Sequence, residues 1–112
     1  MLQKTPIWFM RQAGRYLPEY KEIRKKEKNF LDLCFSPELA AKISLQPIVR
    51  FNFDFIILFC DILVIPHALN QKVQFKPNHG PLLNPISSIH DLDYRNIRAN
   101  LQKLSPVFET VS

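Results

Sequence analysis

The feature that most constrains this chain is an apolar run at residues 53–59, Phe-Asp-Phe-Ile-Ile-Leu-Phe, closed by Cys60-Asp61. A strand with one wet face alternates apolar and polar residues, and this run does not. Near-continuous apolar runs of this length suit a strand covered on both faces, the pattern of parallel sheets in α/β proteins. Ile7-Trp8-Phe9-Met10 is a second, shorter run of the same kind. The intervening residues read as helices. Pro18 suits a first helical turn, where its missing N–H costs nothing. Glu22 and Lys26 then stand at the i,i+4 spacing that supports a helix by roughly 0.2–0.5 kcal/mol. Ser36-Pro37-Glu38 combines a cap, an N1 proline and an early acid. In that helix Leu39, Ile43 and Ile48 form the expected buried stripe, Pro47 an expected kink, and Arg50 favours the C-terminal dipole. The expectation is α/β: parallel strands at about 7–10 and 54–59, joined in right-handed βαβ fashion, with helices at about 19–29, 37–50 and 93–104.

Residues 72–76, Lys-Val-Gln-Phe-Lys, alternate as a short edge strand would, and Asn78-His79-Gly80-Pro81 reads as a turn. Ser105-Pro106 is a further helix start, with Val107, Phe108 and Val111 beginning an apolar face up to the last residue, Ser112. That pattern reads as a chain cut inside a helix.

Several function classes are disfavoured by composition. At 46% hydrophobic residues the chain is not of the disordered type. Its 112 residues suffice for one small domain. The net charge of +5 admits nucleic acid, anionic lipid or a polyanionic small molecule as partner. The basic stretch at residues 21–28 is interleaved with acids, which makes it a solvated helix face rather than a nucleic-acid surface. Residues 51–65 form the most apolar stretch, but it is too short and contains Asp54 and Asp61, so no membrane span is expected. The amino-terminal residues have no apolar core of a signal peptide. Cys34 and Cys60 fit no motif and read as free thiols of a reducing compartment; the expected location is cytoplasmic. His67, His79 and His90 are spaced too irregularly for a metal signature.

Two places carry possible chemistry. Arg11 and Arg15 follow the first apolar run and flank Gly14. Ligands gather at the carboxyl ends of strands in α/β folds, and two arginines there can grip a carboxylate or phosphate with forked geometry. A pair of surface arginines in salt bridges explains the spacing equally simply. Asp61 ends the second run, where a carboxylate needs cationic or N–H partners. It is either a site residue on the side of Arg11 and Arg15 or the cap of a helix starting near Ile62.

The residues from Pro6 to Tyr20, Pro-Ile-Trp-Phe-Met-Arg-Gln-Ala-Gly-Arg-Tyr-Leu-Pro-Glu-Tyr, resemble a signature near the N-terminus of uroporphyrinogen decarboxylases. Leu45-Gln46-Pro47 and Phe59-Cys60-Asp61-Ile62-Leu63-Val64-Ile65-Pro66 resemble two further family blocks in the same order. Gly80-Pro81 is similar to a fourth, and residues 105–110 to the family's next helix. The chain departs from the pattern at Cys60, where the family usually has serine, and at Asn70 and near Asn78, where it favours glycine.

The resemblance implies the N-terminal part of a (β/α)8 TIM barrel, with residues 1–112 an incomplete barrel domain, since such barrels take about 250 residues. It implies decarboxylation of the four acetate arms of uroporphyrinogen III to coproporphyrinogen III in heme biosynthesis, with no cofactor and no metal. It implies a tetrapyrrole substrate, no nucleic acid or membrane partner, and a homodimer for full-length members. The carried-over substrate-binding residues are Arg11, Gln12, Ala13, Gly14, Arg15 and Asp61, with Asp61 and Arg11 catalytic. The chain alone is expected to be inactive. A non-catalytic, partner-binding remnant and a small basic binding module are the alternatives.

Overall fold

The computed structural model describes residues 4–10, 16–27, 29–76, 79–91 and 96–112. Helix α1, Pro18–Lys26, begins as the proline requires: Leu17 is held extended at φ −70, ψ 129, the region favoured by a residue before proline. It ends earlier than expected, at an extended Glu27. Asn29 then starts α2, Phe30–Cys34, its side-chain oxygen accepting the Leu31 N–H at 3.2 Å. An Asn followed three residues later by Asp32 is a capping pattern, and it divides the single helix expected at 19–29 into a helix, a break and a new start.

Helix α3, Pro37–Phe51, matches its expected start and runs through Pro47. It buries Ala40, Ile43, Ser44, Gln46 and Pro47, so the apolar stripe centres on Ile43, with Leu39 packed beside it. The helix stops at Asn52, which adopts the left-handed conformation and donates its N–H to Ile48. Ser44 is a hub: its hydroxyl donates to the Ala40 carbonyl at 2.7 Å and accepts the Phe59 N–H at 2.7 Å. The outgoing chain is thereby pinned to the face of α3.

Helix α4, Val64–Ala68, follows a tight turn. Strands β1, Val73–Lys76, and β2, Gly80–Leu83, pair antiparallel with Lys76 opposite Gly80 and Val73 opposite Leu83. Gly80 sits at φ +74, so glycine is the residue its turn calls for. Asn70, where the resembling family prefers glycine, is likewise left-handed at φ 62, a conformation asparagine tolerates better than most residues. A short 3-10 turn at Ile89–Asp91 precedes α5, Ile97–Gln102, and α6, Ser105–Glu109. The expected helix at 93–104 is thus observed only from Ile97, capped by Asn96; residues 92–95 lie outside the described residues. Lys103 joins this end to α4 by donating to the Ala68 carbonyl at 3.2 Å and to Asn70.

The main correction concerns the two apolar runs. Neither 7–10 nor 54–59 forms a β-strand, and the sheet among the described residues is the antiparallel β1–β2 hairpin, not a parallel βαβ pair. The runs do meet: Asp54 N–H donates to the Ile7 carbonyl at 3.2 Å, Ile7 N–H donates to the Asp54 carboxylate at 2.8 Å, and the Phe9 and Phe53 rings lie 5.6 Å apart. One backbone bond is not a ladder. Phe55, Ile56 and Ile57 are 54%, 40% and 63% exposed, where burial on both faces was expected. Apolar sequence favours a covered strand, but the ladder and the cover must come from other segments, and the described residues do not provide them.

The core consists of two clusters. Leu17, Tyr20, Leu33 and Ile43 form one, and Leu31, Cys34, Leu63 and Val64 the other; Phe59 packs against both. Beyond this core the chain is extended. Its radius of gyration is 16.8 Å, against about 13 Å for a compact chain of this length. Its accessible surface is 8790 Å², against about 6400 Å² for a compact chain of this mass.

Candidate functional site

Asp61 is placed by what precedes and follows it. Phe59, wedged between the two core clusters and held by Ser44, fixes the approach. Leu63 and Val64, both buried, fix the exit. The Asp61 carboxylate accepts the Leu63 N–H through Oδ1 at 2.9 Å, and its carbonyl accepts the Val64 N–H at 3.2 Å. Asp61 therefore caps the turn into α4, the more ordinary of the two roles its position suggested. That role uses one carboxylate oxygen. Oδ2 takes no hydrogen bond or ion pair among the described residues, and it belongs to a half-buried side chain.

The same residue lines a cleft of about 630 Å³. Lys21, Arg24 and Lys25 of α1 contribute to its lining, as do the rings of Phe30 and Phe75. The spacing 21, 24, 25 puts these cations on one helix face. Among the described residues, three cations and a single carboxylate, Asp61, line this cleft. Read along the sequence, residues 21–28 are a solvated face; three-dimensionally, part of that face borders a concavity. The i,i+3,i+4 spacing was the available signal. It could not show that the face looks into a cleft, because the α2 start and the hairpin that enclose it are distant in sequence or were not foreseen.

Such a cleft suits a ligand with an apolar ring and anionic arms, with the free Asp61 oxygen available to an N–H or cationic centre. Arg11, Gln12, Ala13, Gly14 and Arg15 lie outside the described residues, so their placement relative to Asp61 is not part of this geometry. Cys60 is exposed beside Asp61, and Cys34 is buried; both are free thiols. Burial, reinforced by the nearby Cys60 and Asp61, pushes the Cys34 thiol up to about 12. It is therefore protonated and unreactive near neutral pH. His67 packs its ring 5.1 Å from that of Phe35, away from Asp61 in role, and His79 and His90 are exposed. No helix among the described residues is long and apolar enough to cross a membrane.

Comparison with known proteins defines the class. The family model described as uroporphyrinogen decarboxylase (URO-D) matches residues 1–112. The chain belongs to this family. Among curated relatives, the uroporphyrinogen decarboxylase of Brucella anthropi is 56% identical over 106 residues, covering 95% of this chain and 31% of the relative. Those of Brucella ovis and Brucella melitensis biotype 2 are each 55% identical with the same coverage. The chain thus spans about a third of the length of the curated relatives it matches.

Proposed function

We propose that this chain supplies the substrate-gripping front of a uroporphyrinogen decarboxylase, a carboxy-lyase that converts the acetate arms of uroporphyrinogen III to methyl groups. The observation that carries the reading is the family match over the whole chain, combined with Asp61 on a cleft rich in cations and aromatic rings. In the complete enzyme these residues would form part of a TIM barrel, working in the cytoplasm as a homodimer.

The chemistry needs a place for an electron pair. When the bond from the acetate methylene to its carboxylate breaks, carbon dioxide leaves and the pair must enter the ring. A pyrrole protonated at carbon accepts it, and a second protonation, at the exocyclic methylene, yields the methyl group while the ring proton is released. The net change is one proton taken up and one carbon dioxide lost per arm. An anion near the cationic ring lowers the energy of that step, since preorganised charge opposite developing charge is the largest common catalytic effect. Asp61 is that anion and the acceptor of pyrrole N–H groups. Arg11 and Arg15 hold substrate carboxylates by bidentate bonds, and Gln12, Ala13 and Gly14 bind substrate with them.

The test is a graft. The 112 residues replace the matching segment of the Brucella anthropi enzyme, and uroporphyrinogen turnover is measured. An active graft whose rate falls about 100-fold or more on Asp61→Asn is expected. An active graft indifferent to Asp61→Asn, Arg11→Ala and Arg15→Ala would overturn the assignment. Assayed alone, the chain is expected to show little or no turnover, because its cleft is open and its apolar segment uncovered.

A further inference from the structure

We infer that Lys21 and Lys25 form a carboxylate-binding wall that selects the more highly carboxylated tetrapyrrole, a role that rests on the decarboxylase reading above. The two lysines stand four apart on α1, one helical turn, with about 6 Å of rise between them. Both line the cleft that contains Asp61. Two neighbouring charges, Arg24 and Glu19, are already engaged. Arg24, between them on the same face, donates from its guanidinium to the Glu27 carbonyl. Glu19 is drawn to Arg50 at the far end of α3 by two hydrogen bonds of 2.8 Å. The side chains of Lys21 and Lys25 make no hydrogen bond or ion pair among the described residues. Exposed lysines on a helix usually only face water. Here their position bordering a concavity lined also by Phe30, Phe75 and one carboxylate is what distinguishes them.

The parts of the cleft divide the ligand accordingly. The rings accept the apolar macrocycle face, Asp61 the N–H centre, and the lysines those acetate arms that are not at the reacting position. A lysine is a flexible point charge, so it can follow such arms as successive acetates become methyls. Substrate with all its acetates should therefore gain most from the pair, and product with none should gain least.

The experiment titrates the 112-residue chain with uroporphyrin, which keeps every carboxylate arm, and with coproporphyrin, whose acetates are methyls. Porphyrin fluorescence reports binding at low and at physiological salt, and coproporphyrin controls for adhesion to exposed apolar surface. Lys21→Gln with Lys25→Gln is expected to weaken uroporphyrin binding roughly 3- to 30-fold and to leave coproporphyrin within about two-fold, while Lys21→Arg with Lys25→Arg keeps the preference. Circular dichroism checks that the exposed substitutions leave the helix intact. Equal losses for both porphyrins, no loss for either, or no uroporphyrin binding by the unmodified chain overturns the proposal. An active graft with unaffected uroporphyrin selectivity would retain the decarboxylase reading without this wall. An inactive graft with lysine-dependent selectivity would do the reverse.

Discussion

Residues 17–68 and residues 73–112 contain apolar side chains in similar variety, yet they use them differently. In the first region Leu33 and Ile43 are fully buried and two clusters share Phe59 between them. In the second, every described residue from 80 to 91 is exposed, and Ile97, Leu101 and Phe108 are 66%, 52% and 56% exposed. The first region has a long helix, α3, against which α1, α2 and the chain around Phe59 all pack. The second has a hairpin of two four-residue strands and short helices, none long enough to organise a core. Apolar composition supplies the driving force for burial, but a scaffold long enough to receive the side chains decides where burial occurs. The cleft lies at the seam: α1 and Asp61 come from the packed region, Phe75 and Gly80 from the exposed one.

The contrast breaks most sharply at Ile43. Ile43→Ala is expected to cost about 2–5 kcal/mol, because the site is fully enclosed and can relax little. Urea unfolding followed by circular dichroism measures it, and a loss under about 1 kcal/mol would mean that α3 is not the centre of the stable core. Native-state hydrogen exchange sharpens the same point without mutation: amides of α3 should be the slowest, and those of residues 84–91 should exchange nearly as in an open chain.

Asp61→Ala should destabilise by about 0.5–2 kcal/mol, the usual loss when a capping carboxylate is removed. Asp61→Asn should lose less stability, since its amide oxygen still accepts the Leu63 N–H, while eliminating the charge. A stability loss for the asparagine variant as large as that for alanine would show that the capping bond depends on the negative charge.

A smaller effect is expected at the ion pair joining α1 to α3. The Arg50 guanidinium, bonded to both Glu19 oxygens, lowers that carboxyl from 4.5 to about 2. A depressed folded value means that the pair's stabilisation is complete above the unfolded value near 4.5 and fades as pH falls toward 2. The pair is solvent-exposed, so its contribution should also weaken with added salt. A carbon-detected titration of Glu19 checks this; a carboxyl that titrates in the ordinary range, or one unmoved by Arg50→Ala, contradicts the bidentate geometry. The smallest effect belongs to the exposed region: Ile97→Ser should change stability by no more than about 0.5 kcal/mol, and a larger loss would reveal a core there.

Local rules made the helix starts legible. Pro18, Ser36-Pro37 and Ser105-Pro106 each stand where helices begin, because a proline in the first turn acts through neighbouring backbone alone; Ser36 stands at the N-cap but its side chain makes no capping bond. The edge strand expected at 72–76 is β1, and its turn contains Gly80 as the left-handed residue. The break at Glu27 and the cap at Asn29 were equally local, but they were masked by a charge pattern that favours helix throughout. β2 was hidden because Gly80-Pro81 reads as turn chemistry, although a hairpin edge tolerates proline.

The residue types of the candidate site, and the family to which they belong, were determined by sequence alone, since a motif is a property of order along the chain. The Asp61 cap is local too, needing only the N–H groups two and three residues ahead, although the sequence left it open beside a site role. What only the tertiary structure decided is which of those residues share a space. The unbroken apolar run at 53–59 predicted a covered strand, yet a strand exists only when a second segment completes its hydrogen bonds, and here Ser44 and Ile7 meet it at single points. Likewise Lys21 and Lys25 border a cleft rather than bulk water because Phe30, Phe75 and Asp61, separated from them by up to fifty-odd residues, fold alongside. Bonds between near neighbours are encoded by spacing; enclosure depends on distant segments arriving together, and no local pattern specifies that.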